Sequence, residues 1–193
     1  MSVAALDTHP VPACVHGIHA LLDTAPTAAW DGLDPTEVRR LLAEIGRAEA
    51  RLSAHKMAAA RVLEKARKAA QNGDGPRPGT GTSTGATISF DFGGDRGGAD
   101  ALVNTAQRIE EQTTLIENAL AAGVISAKQA DLISRALAKL PEDVTAEQRE
   151  RCEETLLKDA QRLTLKDLRL RGARITEAYR KTTEEVDADE DEI

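Results

Sequence analysis

Four histidines and two cysteines are the residues of this chain whose types could support metal or nucleophilic chemistry. Cys14, His16 and His19 lie close together in a proline-containing N-terminal stretch, near His9, and all four are zinc-ligating types. A structural zinc site uses four ligands in paired spacing, which this cluster does not show. His55 stands alone in a predicted helix. The sequence therefore predicts no catalytic residue, no metal site and no cofactor.

Basic residues in the C-terminal half form a second group of residues with a possible binding function. A predicted helix after a glycine turn has the outline of a helix-turn-helix, although any antiparallel helix pair with such a turn matches it. Further along, residues 158–181 hold eight bases and three acids. Binding to nucleic-acid phosphates requires only positive charge within reach. The candidate DNA-binding residues are Lys128, Arg135, Arg169, Arg171 and Arg174.

The overall charge is misleading as an average. The formal net charge is −7, but residues 184–193 alone carry seven acids and no base. The rest of the chain has equal numbers of acids and bases, so the average does not exclude a nucleic-acid partner. Like charges in this tail repel and it has little apolar surface to bury, which predicts disorder. Because the tail follows the basic segment 158–181, we also expect it to weaken DNA binding in cis.

The composition restricts the fold and the cellular compartment. Apolar residues make up 41% of the chain but only 2% are aromatic, so the core must consist of Leu, Ile, Val and Ala. No run of apolar residues approaches about 18, so no membrane span is expected. The N-terminus lacks a basic region before an apolar stretch, so no signal peptide is predicted. Two distant cysteines are typical of a reduced, cytoplasmic protein. Nothing indicates a small-molecule ligand.

One long helix is predicted to begin near Asp34. Asp34 is a good N-cap, and Pro35 suits the first helical position. Apolar residues then recur at three- and four-residue spacing to about residue 70, which predicts a seam that packs like a coiled coil against another helix. The seam consists of Leu41, Leu42, Ile45, Ala48, Leu52, Ala59 and Leu63.

A glycine-rich segment follows this helix. Residues 72–98 contain most of the glycines of the chain and two prolines. Such a chain loses much entropy on ordering, which predicts a flexible linker. Within it, the alternation of Ile88, Phe90 and Phe92 is typical of a lone strand or a docking clip.

Residues 115–141 predict two amphipathic helices joined by a tight turn. Gly123 can adopt the left-handed conformation that ends a helix. Ser126 and Gln129 can form a capping box that starts the second helix, and Pro141 stops it.

A second capping box, Thr145 with Gln148, starts the next predicted helix. The predicted fold is all-α, an elongated helical bundle with one long N-terminal helix. The predicted parts are an irregular arm (1–33), the long helix (34–71), the linker (72–98), a helical domain (99–183) and a disordered acidic tail (184–193).

Three segments resemble a known family. They are VRRLLAEIGRAEARLSAHKMAAARVLE (38–64), ALAAGVISAKQADLISRALAKLP (119–141) and LLKDAQRLTLKDLRLRGARI (156–175). Together they resemble the domain of unknown function 222, or 13E12-repeat, family of actinobacteria and their phages, over roughly residues 36–190. In that family the helical domain usually precedes an HNH endonuclease module. The histidines and asparagine of that module have no counterpart in these 193 residues, and a glycine-rich segment replaces the family's Thr/Ala-rich one.

The resemblance implies a non-catalytic accessory domain that assists the DNA binding of a nuclease module. A second interpretation comes from a different class of protein. The charged long helix and aromatic-poor bundle are also typical of an oligomerisation or protein-interaction module, in which Leu41, Ile45 and Leu52 form an interface. The expected partners are therefore DNA, a nuclease module or a second copy of the chain.

Overall fold

The computed structural model describes residues 9–79, 82–112 and 115–190, and the side chains only as far as residue 181. No strand occurs among the described residues, and the predicted all-α fold is confirmed. A short 3₁₀ turn, Thr27–Trp30, lies between the first two helices. The helices are α1 Pro10–Asp23, α2 Pro35–Gln71, α3 Thr84–Ile88, α4 Arg96–Gln112, α5 Leu115–Ala121, α6 Ala127–Leu137, α7 Ala146–Ala160 and α8 Leu165–Glu190.

The chain divides into two compact units, Met1–Ala43 and Glu44–Ile193. The first contains α1, where the sequence predicted a largely irregular arm. Pro10 and Pro12 are compatible with this helix because they lie in its first turn, where backbone N–H groups need no helical partner. Asp34 caps α2 as predicted, since its carboxylate accepts a hydrogen bond from the Thr36 amide at 2.8 Å, which lowers the pKa of Asp34.

The long helix α2 buries a different face from the predicted seam. Its buried residues are Ala50, Met57, Ala60 and Glu64, whereas Ile45 is 42% exposed. At 100° per residue the predicted seam lies about a third of a turn away from this face. The predicted buried face was wrong because hydrophobic periodicity gives most weight to leucine and isoleucine, whereas the buried face carries two alanines and a glutamate.

The glycine-rich segment, predicted as a flexible linker with a lone strand or a docking clip inside it, contains the short helix α3. Ser83 caps α3 by accepting a hydrogen bond from the Ala86 amide at 3.1 Å, and Ile88 is buried. Phe90 is 82% exposed. The predicted alternation therefore does not produce a strand, because the Ser83 cap favours a helical turn instead. The segment docks through Ile88, which packs in a small cluster with residues of α2 and α4.

The main core lies among α4 to α8, with α6 in contact with the other four helices. Its fully buried apolar side chains are aliphatic, as the composition predicted, and the polar Ser134 is fully buried as well. A buried carboxylate on α7, Glu153, accepts a hydrogen bond from the Ile116 amide at 2.9 Å at the start of α5. Such a pairing satisfies an amide that has no partner within its own helix.

The two cysteines are both unpaired, with Cys14 exposed and Cys152 buried. A hydrogen bond with Cys152 raises the pKa of Tyr179, and burial acts in the same direction. Among the described residues, no helix is both long and apolar enough to cross a membrane.

The acidic tail is only partly described. The backbone of α8 continues to Glu190, and residues 191–193 lie outside the described part of the chain.

Candidate functional site

Helix α6 is held firmly at both ends. Both predicted capping boxes form, and that of α6 pairs Ser126 with Gln129. Gly123 has a φ of 74° and ends α5, as its position predicted. The Gln129 side-chain amide also donates to the Ala160 carbonyl at 2.5 Å, at the end of α7. Arg149 of α7 donates to the Leu137 carbonyl at 2.7 Å. The caps and these contacts fix the position of the side chains along α6.

Helix α8 crosses α6 closely. A Cβ at Gly172 would lie 2.9 Å from the Cβ of Ala136, so only glycine fits without movement. Beside this contact, the hydroxyl of Thr176 donates to the Gly172 carbonyl at 3.0 Å within α8. The small residues therefore bring the basic side chains of α8 next to those of α6.

Two hollows lie along α6 and share Asp131, Leu132 and Arg169. The first has a volume of about 340 Å³ and is mostly apolar, with Met57 and Leu102 among its lining side chains. The second has a volume of about 460 Å³ and lies between α6 and α8. We call the two hollows together the α6–α8 groove.

Among the described lining residues of the α6–α8 groove, basic side chains outnumber acidic ones. Lys128, Lys139 and Arg169 make no ion pair with any described residue. Among the acids, Glu177 pairs with Arg180. The bases that line the groove are Lys128, Arg135, Lys139 and Arg169, and the acids are Asp131 and Glu177.

Asp131 is the centre of a polar cluster that joins α4 and α6. Its Oδ1 atom accepts from Arg108 Nη2 at 2.5 Å, from Arg135 Nε at 2.9 Å and from Thr105 Oγ1 at 2.8 Å. Arg108 also donates to Thr105 Oγ1 at 3.0 Å and to Ser134 Oγ at 3.3 Å. Two cations therefore face one carboxylate, so the cluster keeps a net positive charge.

The structure brings together three of the five residues that the sequence singled out. Lys128, Arg135 and Arg169 line the α6–α8 groove. Arg171 lies on another face of α8 and pairs with Asp159 of α7 at 2.9 Å. Arg174 is exposed and lines neither hollow.

Sequence reasoning missed Arg108 and the role of Asp131. The four-residue spacing of Asp131 and Arg135 would have predicted their ion pair. Nothing in the local sequence indicates that Arg108 of α4 reaches α6.

The N-terminal histidines do not form a candidate metal site in the described part of the chain. No group of three His, Cys, Asp or Glu side chains there could hold a metal ion. His9 instead caps α1, where its Nδ1 accepts from the Val11 amide at 3.3 Å.

The fold and groove define a helical domain with a basic surface depression. The sequence profile of a family described as Domain of unknown function (DUF222) matches residues 40–192. The chain belongs to that family, and the family resemblance read from the sequence is confirmed. No curated protein and no solved structure matches the chain.

Proposed function

We propose that this chain is an accessory helical domain that binds DNA through phosphate contacts in the α6–α8 groove. The observation that carries the proposal is the convergence on one groove of four cations, which are Lys128 and Arg135 of α6, Lys139 just after α6, and Arg169 of α8. Phosphate binding requires positive charge in reach and no particular base-reading geometry. Binding of this kind would be independent of DNA sequence.

The charges that remain available favour this proposal. Lys128, Lys139 and Arg169 form no ion pair with any described residue. Arg108 compensates Asp131, so that Arg135 is not needed for that purpose. The groove therefore offers up to four cations to a polyanion.

We propose a binding role and no catalytic one for this groove. Its described lining consists of basic, acidic, hydroxyl and apolar groups, with no histidine or cysteine among these residues. Family membership and the resemblance described above are the basis for proposing a cytoplasmic HNH endonuclease module as the partner. Reading the coding DNA beside this sequence for an HNH frame tests that part of the proposal.

The test compares two double variants that remove the same charge from different faces. Lys128→Gln/Arg169→Gln removes two groove cations, and Arg171→Gln/Arg174→Gln removes two cations of α8 outside the groove. Binding of a labelled DNA duplex is followed by fluorescence anisotropy at several salt concentrations. Each lost phosphate contact lowers the slope of log affinity against log salt by about 0.9, so the groove variant should lose roughly 1.8.

The control variant should keep nearly the wild-type slope. Equal losses in both variants would mean that only net charge matters and would contradict a defined groove. No binding by the wild-type chain, even at low salt, would end the proposal.

A second candidate function follows from the exposed face of α2. Ile45 is 42% exposed, Ala48 and Ala59 are also exposed, and Leu52 is half-buried. These residues form an apolar stripe on one side of the helix, which is typical of a contact with another chain. We propose self-association through this stripe as the alternative function.

Light scattering coupled to size-exclusion chromatography tests this alternative. If this alternative is correct, the chain forms a concentration-dependent dimer that Ile45→Glu abolishes. Val62→Glu, at an exposed position about 100° around α2 from Ile45, should disturb the dimer much less. A monomer at every concentration, or a dimer insensitive to Ile45→Glu, would contradict it.

A further inference from the structure

Asp131 of α6 lies between two arginines that differ in their surroundings. Arg108 comes from α4, has a side chain that is 22% exposed, and donates to Asp131, Thr105 and Ser134. Arg135 comes from α6 itself, has a side chain that is 56% exposed, and among the described residues bonds only to Asp131. The two cations therefore share one carboxylate but are held to different degrees.

Arg135 can leave Asp131 at little cost. An exposed ion pair gains little because water screens it and because holding the side chains in place costs entropy. When Arg135 turns away, Asp131 still accepts from Arg108 at 2.5 Å and from Thr105 at 2.8 Å. The carboxylate would therefore remain compensated without Arg135.

Without Arg108 the balance would change. Asp131 would face the groove with Arg135 as its only cationic partner, and its charge would repel an approaching phosphate. Arg135 would then be used to neutralise Asp131 and would be less available to DNA.

We infer that Arg108 is a positioning residue of the α6–α8 groove, which holds Asp131 and thereby releases Arg135 to exchange from Asp131 to a DNA phosphate. This inference rests on the proposed DNA-binding function. In this arrangement Arg108 of α4 is the fixed partner of Asp131, and Arg135 of α6 is the exchangeable partner.

A rescue experiment tests the inference by DNA anisotropy at low salt. Arg108→Gln should weaken binding about threefold, the size expected for one unit charge several ångströms from a phosphate in water. Arg108→Gln/Asp131→Asn should return to within about a factor of two of the wild-type affinity, because the acid that Arg108 compensates is also gone. Double and single variants that bind equally weakly would overturn the inference.

A measurement on the wild-type chain covers the case in which Arg108→Gln does not fold. The arginine Nε–Hε signals are followed by nuclear magnetic resonance while a short DNA duplex is added. The Arg135 signal should shift and the Arg108 signal should stay in place. An unmoved Arg135 signal, or an Arg108 shift of the same size, would overturn the inference.

The proposed function and this inference fail in different ways. If Lys128→Gln/Arg169→Gln binds DNA like the wild-type chain, the groove itself is not the binding site. If that variant binds weakly, while Arg108→Gln folds and binds normally, only the inference is wrong.

Discussion

Replacing Glu64 by glutamine should destabilise the protein because Glu64 joins the glycine-rich segment to α2. Its side chain is 9% exposed and accepts two hydrogen bonds from Arg67, at 3.0 Å from Nε and 2.7 Å from Nη2. It also accepts from the hydroxyl of Thr84, just after the cap of α3, at 2.5 Å. Ile88 holds the same segment to α2 and α4 by apolar packing, and the hydrogen bond from Thr84 adds a polar contact to α2.

The size of the stability loss follows from these hydrogen bonds. A hydrogen bond to a charged group contributes about 1.5–3 kcal/mol, and glutamine retains one acceptor oxygen but no charge. We therefore expect Glu64→Gln to lower the free energy of unfolding by about 2 kcal/mol at neutral pH. Thr84→Val, which removes only the hydroxyl, should cost about 1 kcal/mol.

The stability lost in Glu64→Gln should become smaller as the pH falls. The hydrogen bonds from Arg67 lower the pKa of Glu64 below its ordinary value of 4.5, although burial opposes them. A carboxyl whose pKa is lower in the folded state contributes stability above its unfolded pKa and loses it as the pH falls through the folded pKa. The difference between wild type and Glu64→Gln should therefore be full at pH 7 and shrink below about pH 4.5.

Urea unfolding followed by circular dichroism at several pH values measures this difference. Glu37→Gln is a matched control, since Glu37 accepts from Arg40 at the same two distances, 3.0 and 2.7 Å. The Glu37 side chain is 43% exposed, so its charge is screened by water and its loss should have a much smaller effect. Similar losses in both variants, or a loss at Glu64 that persists unchanged at low pH, would refute the reasoning.

Three further predictions concern the groove and its supports. Gly172→Val should lower stability by about 1–3 kcal/mol through overpacking against α6, and thermal unfolding that shows no loss would contradict the close crossing. Adding Ala136→Gly should recover part of that loss, whereas no recovery would place the strain elsewhere. Ser126→Ala should cost about 1 kcal/mol because it removes the cap of α6, and an unchanged urea midpoint would mean that the capping box contributes nothing. Deleting residues 184–193 removes seven acids and should strengthen DNA binding at low salt. An unchanged affinity in a mobility shift would show that the tail does not compete with DNA.

Local sequence signals were sufficient for the ends of the central helices. Ser126 and Gln129 cap α6 as their three-residue spacing predicted, and Gly123 has the positive φ that its place after α5 required. These features depend on residues only a few positions apart, so short-range geometry determines them. The aliphatic character of the core followed from composition alone.

Sequence patterns were less reliable for predicting which face of a helix packs against the rest of the protein. Ile45 belonged to the predicted seam of α2, but the buried face carries Ala50 and Met57. Hydrophobic periodicity favours the largest side chains, whereas the face of α2 that joins the core clusters carries the small Ala50 and Ala60 beside Met57. Of the two interpretations of the apolar alternation before α4, the lone strand is wrong, because the Ser83 cap starts a helical turn from which Ile88 docks.

By itself the sequence determined that the chain is helical, where its central caps form, and that it is a member of this family. The helices and their caps depend on residue type and short spacing, and the family resemblance depends on three segments of the sequence read together. Only the tertiary structure decided which bases share a groove. Arg169 and Arg174 are equivalent in charge, yet the contact of Gly172 with Ala136 turns one towards α6 and leaves the other outside. The partnership of Arg108 with Asp131 likewise joins residues 23 positions apart, which only the packing of α4 on α6 brings together.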